Sequence, residues 1–230
     1  MPMQWNGRVR LVDEVVSVLR ERLYNGYYSP GARLYQDQLA RELSISRTPL
    51  REALRMLEQE GLVRVELGKG VRVVSGDIPT LLAAYEVRRV IDGLAARLAA
   101  REASRADIIT LQKTIDAQRR ALSPWDAPAY TAANVEFHNR IMKMSRNEFV
   151  VAQTPILRMT AQVFTPVAVV DPRRAEIAVT QHRQIYDGIA AHAPEVAETK
   201  AMAHIQSTID SLKAAGPNGE PLVADAKRGD

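Results

Sequence analysis

Ser46-Arg47-Thr48-Pro49-Leu50-Arg51-Glu52-Ala53-Leu54-Arg55-Met56-Leu57-Glu58-Gln59-Glu60-Gly61 is the stretch from which the fold can be argued. At about 100° per residue, Leu50, Ala53, Leu54 and Leu57 fall on one arc of a helix. Arg47, Arg51 and Arg55 fall on the adjoining arc, one turn apart. Ser46 is a suitable N-cap, and Pro49 lies in the first turn, where a missing N–H costs little. Gly61 closes the helix. One face therefore buries in a small domain while its neighbour presents guanidinium groups.

The flanks complete the unit. Upstream, Leu11, Val15, Val18, Leu19 and Leu23 recur at helical spacing over about four turns. Asn25-Gly26 stops that helix and Ser29-Pro30-Gly31 makes a turn. A short helix over Gln36 to Leu43 follows, then a tight break at Ser44-Ile45. Downstream, Leu62–Leu67 and Val71–Val74 are short β-like runs joined by Gly68-Lys69-Gly70, which predicts a hairpin. Helix, helix, tight turn, helix, hairpin is the order of a winged helix-turn-helix.

A helix of this kind fits the DNA major groove, and Arg pairs bidentately with guanine or clamps phosphates. The helix N-terminus adds free N–H groups for a phosphate. The expected DNA-contacting residues are thus Ser46, Arg47, Thr48 and Arg51, with Lys69 and Gly70 at the hairpin tip. Arg55 is as well explained by pairing with Glu52 or Glu58. A plain solvated helix face is the competing explanation. The preceding tight turn, the basic hairpin and the local charge weigh against it.

Composition agrees. The 230 residues are 46% apolar and 25% charged, enough for a proper core, and the net charge is +4. The first 76 residues hold 12 Lys and Arg against 9 Asp and Glu, so most of the excess sits there. Cysteine is absent. That excludes disulfides, a thiolate nucleophile and Cys-ligated metals, and fits a reducing cytoplasm. No run approaches a membrane span and no apolar h-region opens the chain, so neither membrane insertion nor secretion is expected. Gly and Pro at Ser75-Gly76-Asp77-Ile78-Pro79 mark a boundary. The expected organisation is a DNA-binding domain over 1–76, a linker at 77–79, an all-helical domain over 80–214 and a loose tail over 215–230.

Six helices are expected in the second part: Thr80–Glu102, Arg105–Leu122, Ala127–Ser145, Glu148–Val169, Pro172–His192 and Pro194–Ala215. Their lengths and short joints favour an antiparallel bundle. The fold class is therefore mainly α, a winged helix-turn-helix followed by an all-α bundle. Three of the four histidines lie on inward faces of three separate helices. His138 shares its face with Tyr130, Asn134, Phe137 and Ile141, His182 with Ala178, Ile185 and Ile189, and His204 with Ala197, Ala201, Thr208 and Leu212. Converging, they would supply three imidazole nitrogens, with the Asn134 oxygen one turn from His138. That set suits zinc, or else nickel or manganese. Spacing alone leaves open that each imidazole is a core residue with its own buried partner. His192, at a helix end beside Pro194, reads as surface.

The segment Ser46-Arg47-Thr48-Pro49-Leu50-Arg51-Glu52-Ala53-Leu54, followed by Leu57-Glu58-Gln59-Glu60-Gly61-Leu62-Val63, resembles the signature of the GntR family of bacterial transcription regulators. Pro30-Gly31-Ala32-Arg33-Leu34 fits the same pattern. The resemblance implies operator contacts by Arg47, Thr48 and Arg51, assisted by Lys69 and Gly70. Some members carry a further DNA-contacting Arg where this chain has Asp37, so no contact is assigned there. The order Asn134-x3-His138, His182, His204 is similar to the metal-binding pattern of the FCD domain, the ligand-sensing half of the FadR subfamily. Arg88, in Tyr85-Glu86-Val87-Arg88-Arg89-Val90-Ile91-Asp92, and Asn147 also fit. Many members have Asp where this chain has Asn134. Six helices resemble the VanR-type branch.

These readings imply a regulator, not an enzyme. A small carboxylate effector would complete the metal's coordination, with Arg88 as the first candidate clamp and Arg140 and Arg158 as further ones. A homodimer on palindromic double-stranded DNA is expected, joined through exposed apolar faces of the bundle. A helical metalloenzyme is the rival, because an open metal site activates water. Against it, no acidic residue stands beside the histidines as a general base: Glu136 is on another face. A purely structural metal is a third alternative.

Overall fold

A computed structural model describes residues 8–66, 70–75, 78–163 and 171–214. Tertiary contacts divide these into two compact units. One contains residues 8–75 together with 158–163; the other contains 78–157 and 171–214.

The first unit opens with α1 (Arg8–Tyr24), β1 (Arg33–Leu34), α2 (Gln36–Glu42) and α3 (Arg47–Gln59), and continues with β2 (Val63–Glu66) and β3 (Gly70–Val73). The expected apolar arc of α3 is buried: Leu50, Ala53, Leu54 and Leu57 are core residues, as are Leu19 and Leu62, none more than 1% exposed. Burial of each such leucine contributes about 1.5–3 kcal/mol. Arg20 clasps Glu60 through Nε (2.8 Å) and Nη2 (2.6 Å), tying α1 to the end of α3. Ser44, at φ +54, makes the tight turn between α2 and α3. β1 is an addition to the expected hairpin. It pairs antiparallel with β3, giving the sheet order β1-β3-β2. Gly70 opens β3 at φ +90, a conformation that side chains rarely adopt.

The second unit contains α4 (Ile78–Glu102), α5 (Arg105–Leu122), α6 (Ala127–Met144), α7 (Glu148–Val151), α8 (Thr154–Arg158, whose last residue groups with the first unit), α9 (Pro172–Ala190) and α10 (Pro194–Ala214). Side-chain caps set several starts. Ser104 and Asp107 form a capping box on α5, and Asp126 and Asp171 cap α6 and α9 ahead of a proline in the first turn. Gly188 on α9 allows close approach of α10, since a Cβ there would lie 3.0 Å from the Ala197 backbone. The core includes Phe137, Ile141, Leu157, Ile185 and Ile189.

The expected helix Glu148–Val169 is not continuous. It breaks into α7, α8 and a π-helical turn over Met159–Val163. Pro155 has no N–H to donate to the Val151 carbonyl, and the Thr154 hydroxyl takes that carbonyl instead at 2.7 Å. The kink expected at Pro166 lies outside the described residues, as does the tail 215–230. Among the described residues, no helix is long and apolar enough to cross a membrane.

Candidate metal centre and nucleic-acid interface

In the first unit, Ser46, Arg47, Thr48 and Arg51 are all exposed along the start of α3. Arg47, Thr48 and Arg51 line an open groove of about 670 Å³, together with Arg33, Arg41 and Gly70. The N-cap expectation for Ser46 needs correcting: it occupies the N-cap position with extended backbone, but its hydroxyl makes no capping hydrogen bond. Arg47 Nε forms an ion pair with Asp37 Oδ1 at 2.7 Å. Lys69 lies outside the described residues.

In the second unit, α6, α9 and α10 bring His138, His182 and His204 together. One ring nitrogen from each lies within 4.8 Å of the others, and all three residues are buried. Each Nδ1 faces a side-chain oxygen: Gln118 Oε1 at 2.7 Å from His182, Gln181 Oε1 at 2.8 Å from His204 and Asp92 Oδ2 at 3.3 Å from His138. With the amides oriented this way, each Nδ1–H points at an oxygen and each Nε2 keeps its lone pair. Nε2 of His182 and Nε2 of His204 are then two acceptors facing each other at 3.2 Å. Two nitrogens at that separation subtend about 100° at a zinc ion with ordinary zinc–nitrogen distances. The three imidazoles could therefore hold a metal ion.

Electrostatics favour the same protonation state. Burial pushes His182 and His204 well below the usual imidazole range, and neighbouring imidazoles and Arg88 push them further. Burial also lowers His138, against the opposing pull of Asp92. Neutral imidazole is the form that ligates metal. Phe137 stacks on the His182 ring with centroids 4.3 Å apart and fixes its plane.

Asn134 is half-buried on α6, one turn before His138. Arg88 is buried and donates to Asp92 Oδ2 at 2.6 Å. Arg140 Nε lies 2.7 Å from Glu136 without hydrogen-bond geometry, and both are partly exposed. Arg158 forms a two-pronged bond with Glu21 and lies over the Tyr24 ring, 3.9 Å from its centroid. His192 is exposed and its Nδ1 meets the Ala100 carbonyl at 2.9 Å.

Sequence reasoning missed Asp92, Gln118 and Gln181. The expectation that no acidic residue stands beside the histidines is corrected by Asp92, which reaches His138 from α4. Burial tends to raise its carboxyl, but Arg88 and His138 outweigh this and hold it below the usual carboxylate range. It is thus an anchored anion, not a proton acceptor in waiting. A signal for Gln118 existed: it continues the buried stripe Leu111, Thr114, Ile115 at helical spacing.

Comparison with known proteins agrees with both halves. Residues 11–73 match the model of bacterial regulatory proteins of the gntR family, and residues 83–207 match the FCD domain. The HTH-type transcriptional regulator YdhC of Bacillus subtilis (strain 168) is 25% identical over 85% of this chain and 88% of its own. The gluconate operon transcriptional repressor of Bacillus licheniformis is 27% identical over 65% of this chain and 61% of its own. The fold is shared with E. coli McbR/YncC at a TM-score of 0.76 and 22% identity, over 89% of this chain and 97% of that one.

Proposed function

The chain belongs to the gntR family of bacterial DNA-binding transcription regulators and carries an FCD domain, and from that premise we propose that it is a metal-dependent sensor of a small organic acid. It binds a palindromic operator as a homodimer in the cytoplasm and releases it when the acid is bound. The observation that carries the sensing half is the convergence of three neutral imidazoles, each with Nδ1 facing an oxygen and Nε2 left for a cation. Asn134 is the proposed fourth ligand. Zinc fits an imidazole set best, with nickel or manganese as alternatives.

A bound cation would supply an electrophilic centre for a carboxylate. Neutral ligands leave its charge uncompensated, which favours an anionic effector. Arg88 is the proposed clamp for the acid's far end, because Asp92 ties its guanidinium to the imidazole cluster. Arg140 and Arg158 are held by Glu136 and Glu21 and enter only if those pairs open. On the DNA side, Ser46, Arg47, Thr48 and Arg51 are the proposed contacts, with Lys69 and Gly70 at the hairpin. Repression is supported by the relative named as a gluconate operon repressor. The exposed side chains Val87, Val90 and Leu94 fall one and two turns apart on α4 and supply the expected apolar dimer face.

The test is native mass spectrometry of the full chain before contact with chelator, followed by operator binding across a panel of organic acids. A dimer with about one metal per chain and acid-induced release is expected. A metal-free chain whose DNA complex ignores every acid would overturn the sensing half.

A further inference from the structure

Three arginines cross the outer face of the first unit's sheet in one row. Arg33 on β1 is opposite Arg72 on β3, and Arg72 is opposite Arg64 on β2. Strand alternation buries Leu34, Val63, Val71 and Val73 on the inner face, so the three arginines share the outer face and are exposed. Like charges directly opposite on neighbouring strands repel. None of the three belongs to the buried core, and the local contact of Arg33 is with the exposed Tyr35 ring, 5.6 Å from its centroid. Compensation within the face is slight. Arg72 Nε is 3.4 Å from Glu66, and one Arg72 Nη1 donates to the Gly31 carbonyl at 3.1 Å. Such an exposed ion pair is worth little.

The row is also continuous with the groove in front of α3. Arg33 lines that groove along with Arg41, Arg47 and Arg51. Its guanidinium lies over Gly70, 3.5 Å from where a Cβ would stand. Neighbouring strands are about 4.8 Å apart, so the row spans about 10 Å. Duplex DNA offers about three phosphates per strand over that length of axis.

We propose that the outer face of this sheet is a second DNA contact, in which Arg33, Arg64 and Arg72 neutralise backbone phosphates flanking the bases that α3 reads. The proposal rests on the DNA-reading role of α3 given above. The contact adds affinity, orientation and salt dependence and reads no base, since phosphate contacts carry no sequence information.

The test uses the full chain, the double variant Arg64→Gln/Arg72→Gln, and Arg51→Ala. A duplex selected from random sequence by the wild type is titrated across a salt series. Each neutralised phosphate contributes about 0.9 to the slope of log affinity against log salt. The double variant should lose about 1.8 of that slope. Over a fourfold rise in salt its affinity should then fall about 12-fold less than that of the wild type. Its selected base preference and thermal unfolding should be unchanged. Arg33→Gln alone should remove about 0.9 of slope and serves if the double variant fails to fold. An unchanged slope would overturn the proposal, and so would an altered base preference, which would mean that the row reads bases. If Arg51→Ala erases the preference while the slope persists in the double variant, the sheet contact alone falls. If the wild type selects no duplex at all, the reading of α3 falls with it.

Discussion

The two units place their charged chemistry in opposite environments. In the first, the arginines of α3 and of the sheet stand in solvent on a leucine core. In the second, three imidazoles, Arg88 and Asp92 lie inside the core itself. The difference teaches which properties can be separated by mutation. An exposed guanidinium can be removed with little effect on folding, because it loses only a screened interaction. A buried imidazole or carboxylate cannot, because its partners lose their solvation and then their compensation together.

Asp92→Ala should have the largest effect on stability. It breaks the buried ion pair with Arg88 and removes the oxygen that faces His138 Nδ1, which costs about 3–5 kcal/mol. Urea unfolding checks this, and a loss under about 1 kcal/mol would mean that the pair is solvated and the contrast between the units is weak. Stripping the proposed metal, or His182→Ala, should come next. If free metal stands at about a hundred times its dissociation constant, removal costs about 2.7 kcal/mol. Metal analysis with thermal unfolding in and out of chelator reads it. Unfolding that ignores chelator would return the imidazoles to an ordinary core role.

Arg51→Ala should cost about 1–3 kcal/mol in operator affinity while moving stability by less than about 0.5 kcal/mol. Anisotropy titration paired with urea unfolding separates the two. A large stability loss would show that the first unit also stores its function in its core. The smallest effect is expected from Arg140→Ala. Its pairing with Glu136 is partly exposed and one turn apart on α6, worth about 0.3–0.5 kcal/mol. Metal content and operator affinity should both stay at wild-type values. A fall in acid response in this variant would promote Arg140 to the effector site.

The first unit was readable because its signals are local. Leu50, Leu54 and Leu57 declare the buried arc of α3 within three turns, and Arg47 and Arg51 declare the exposed one. The short strand β1 escaped that reading, since two residues carry no period. The row Arg33-Arg72-Arg64 escaped with it, because opposition across strands is a matter of register. In the second unit, helical spacing placed His138, His182 and His204 on inward faces. It could not say that their rings meet, nor which nitrogen of each is free. Asp92 was hidden because an acid one turn after Arg88 also reads as an ordinary surface pair.

By itself, then, the sequence determined the family, the helices and hairpin of the first unit apart from β1, and the inward faces that carry His138, His182 and His204. These follow from period and local capping, which depend on near neighbours in the chain. Only the tertiary structure decided that three imidazoles from α6, α9 and α10 share one centre. It also assigned their Nδ1 atoms to Gln118, Gln181 and Asp92, and aligned three arginines across a sheet. Those are contacts between residues distant in the chain. Their geometry is set by helix packing and strand register, to which no local period is sensitive.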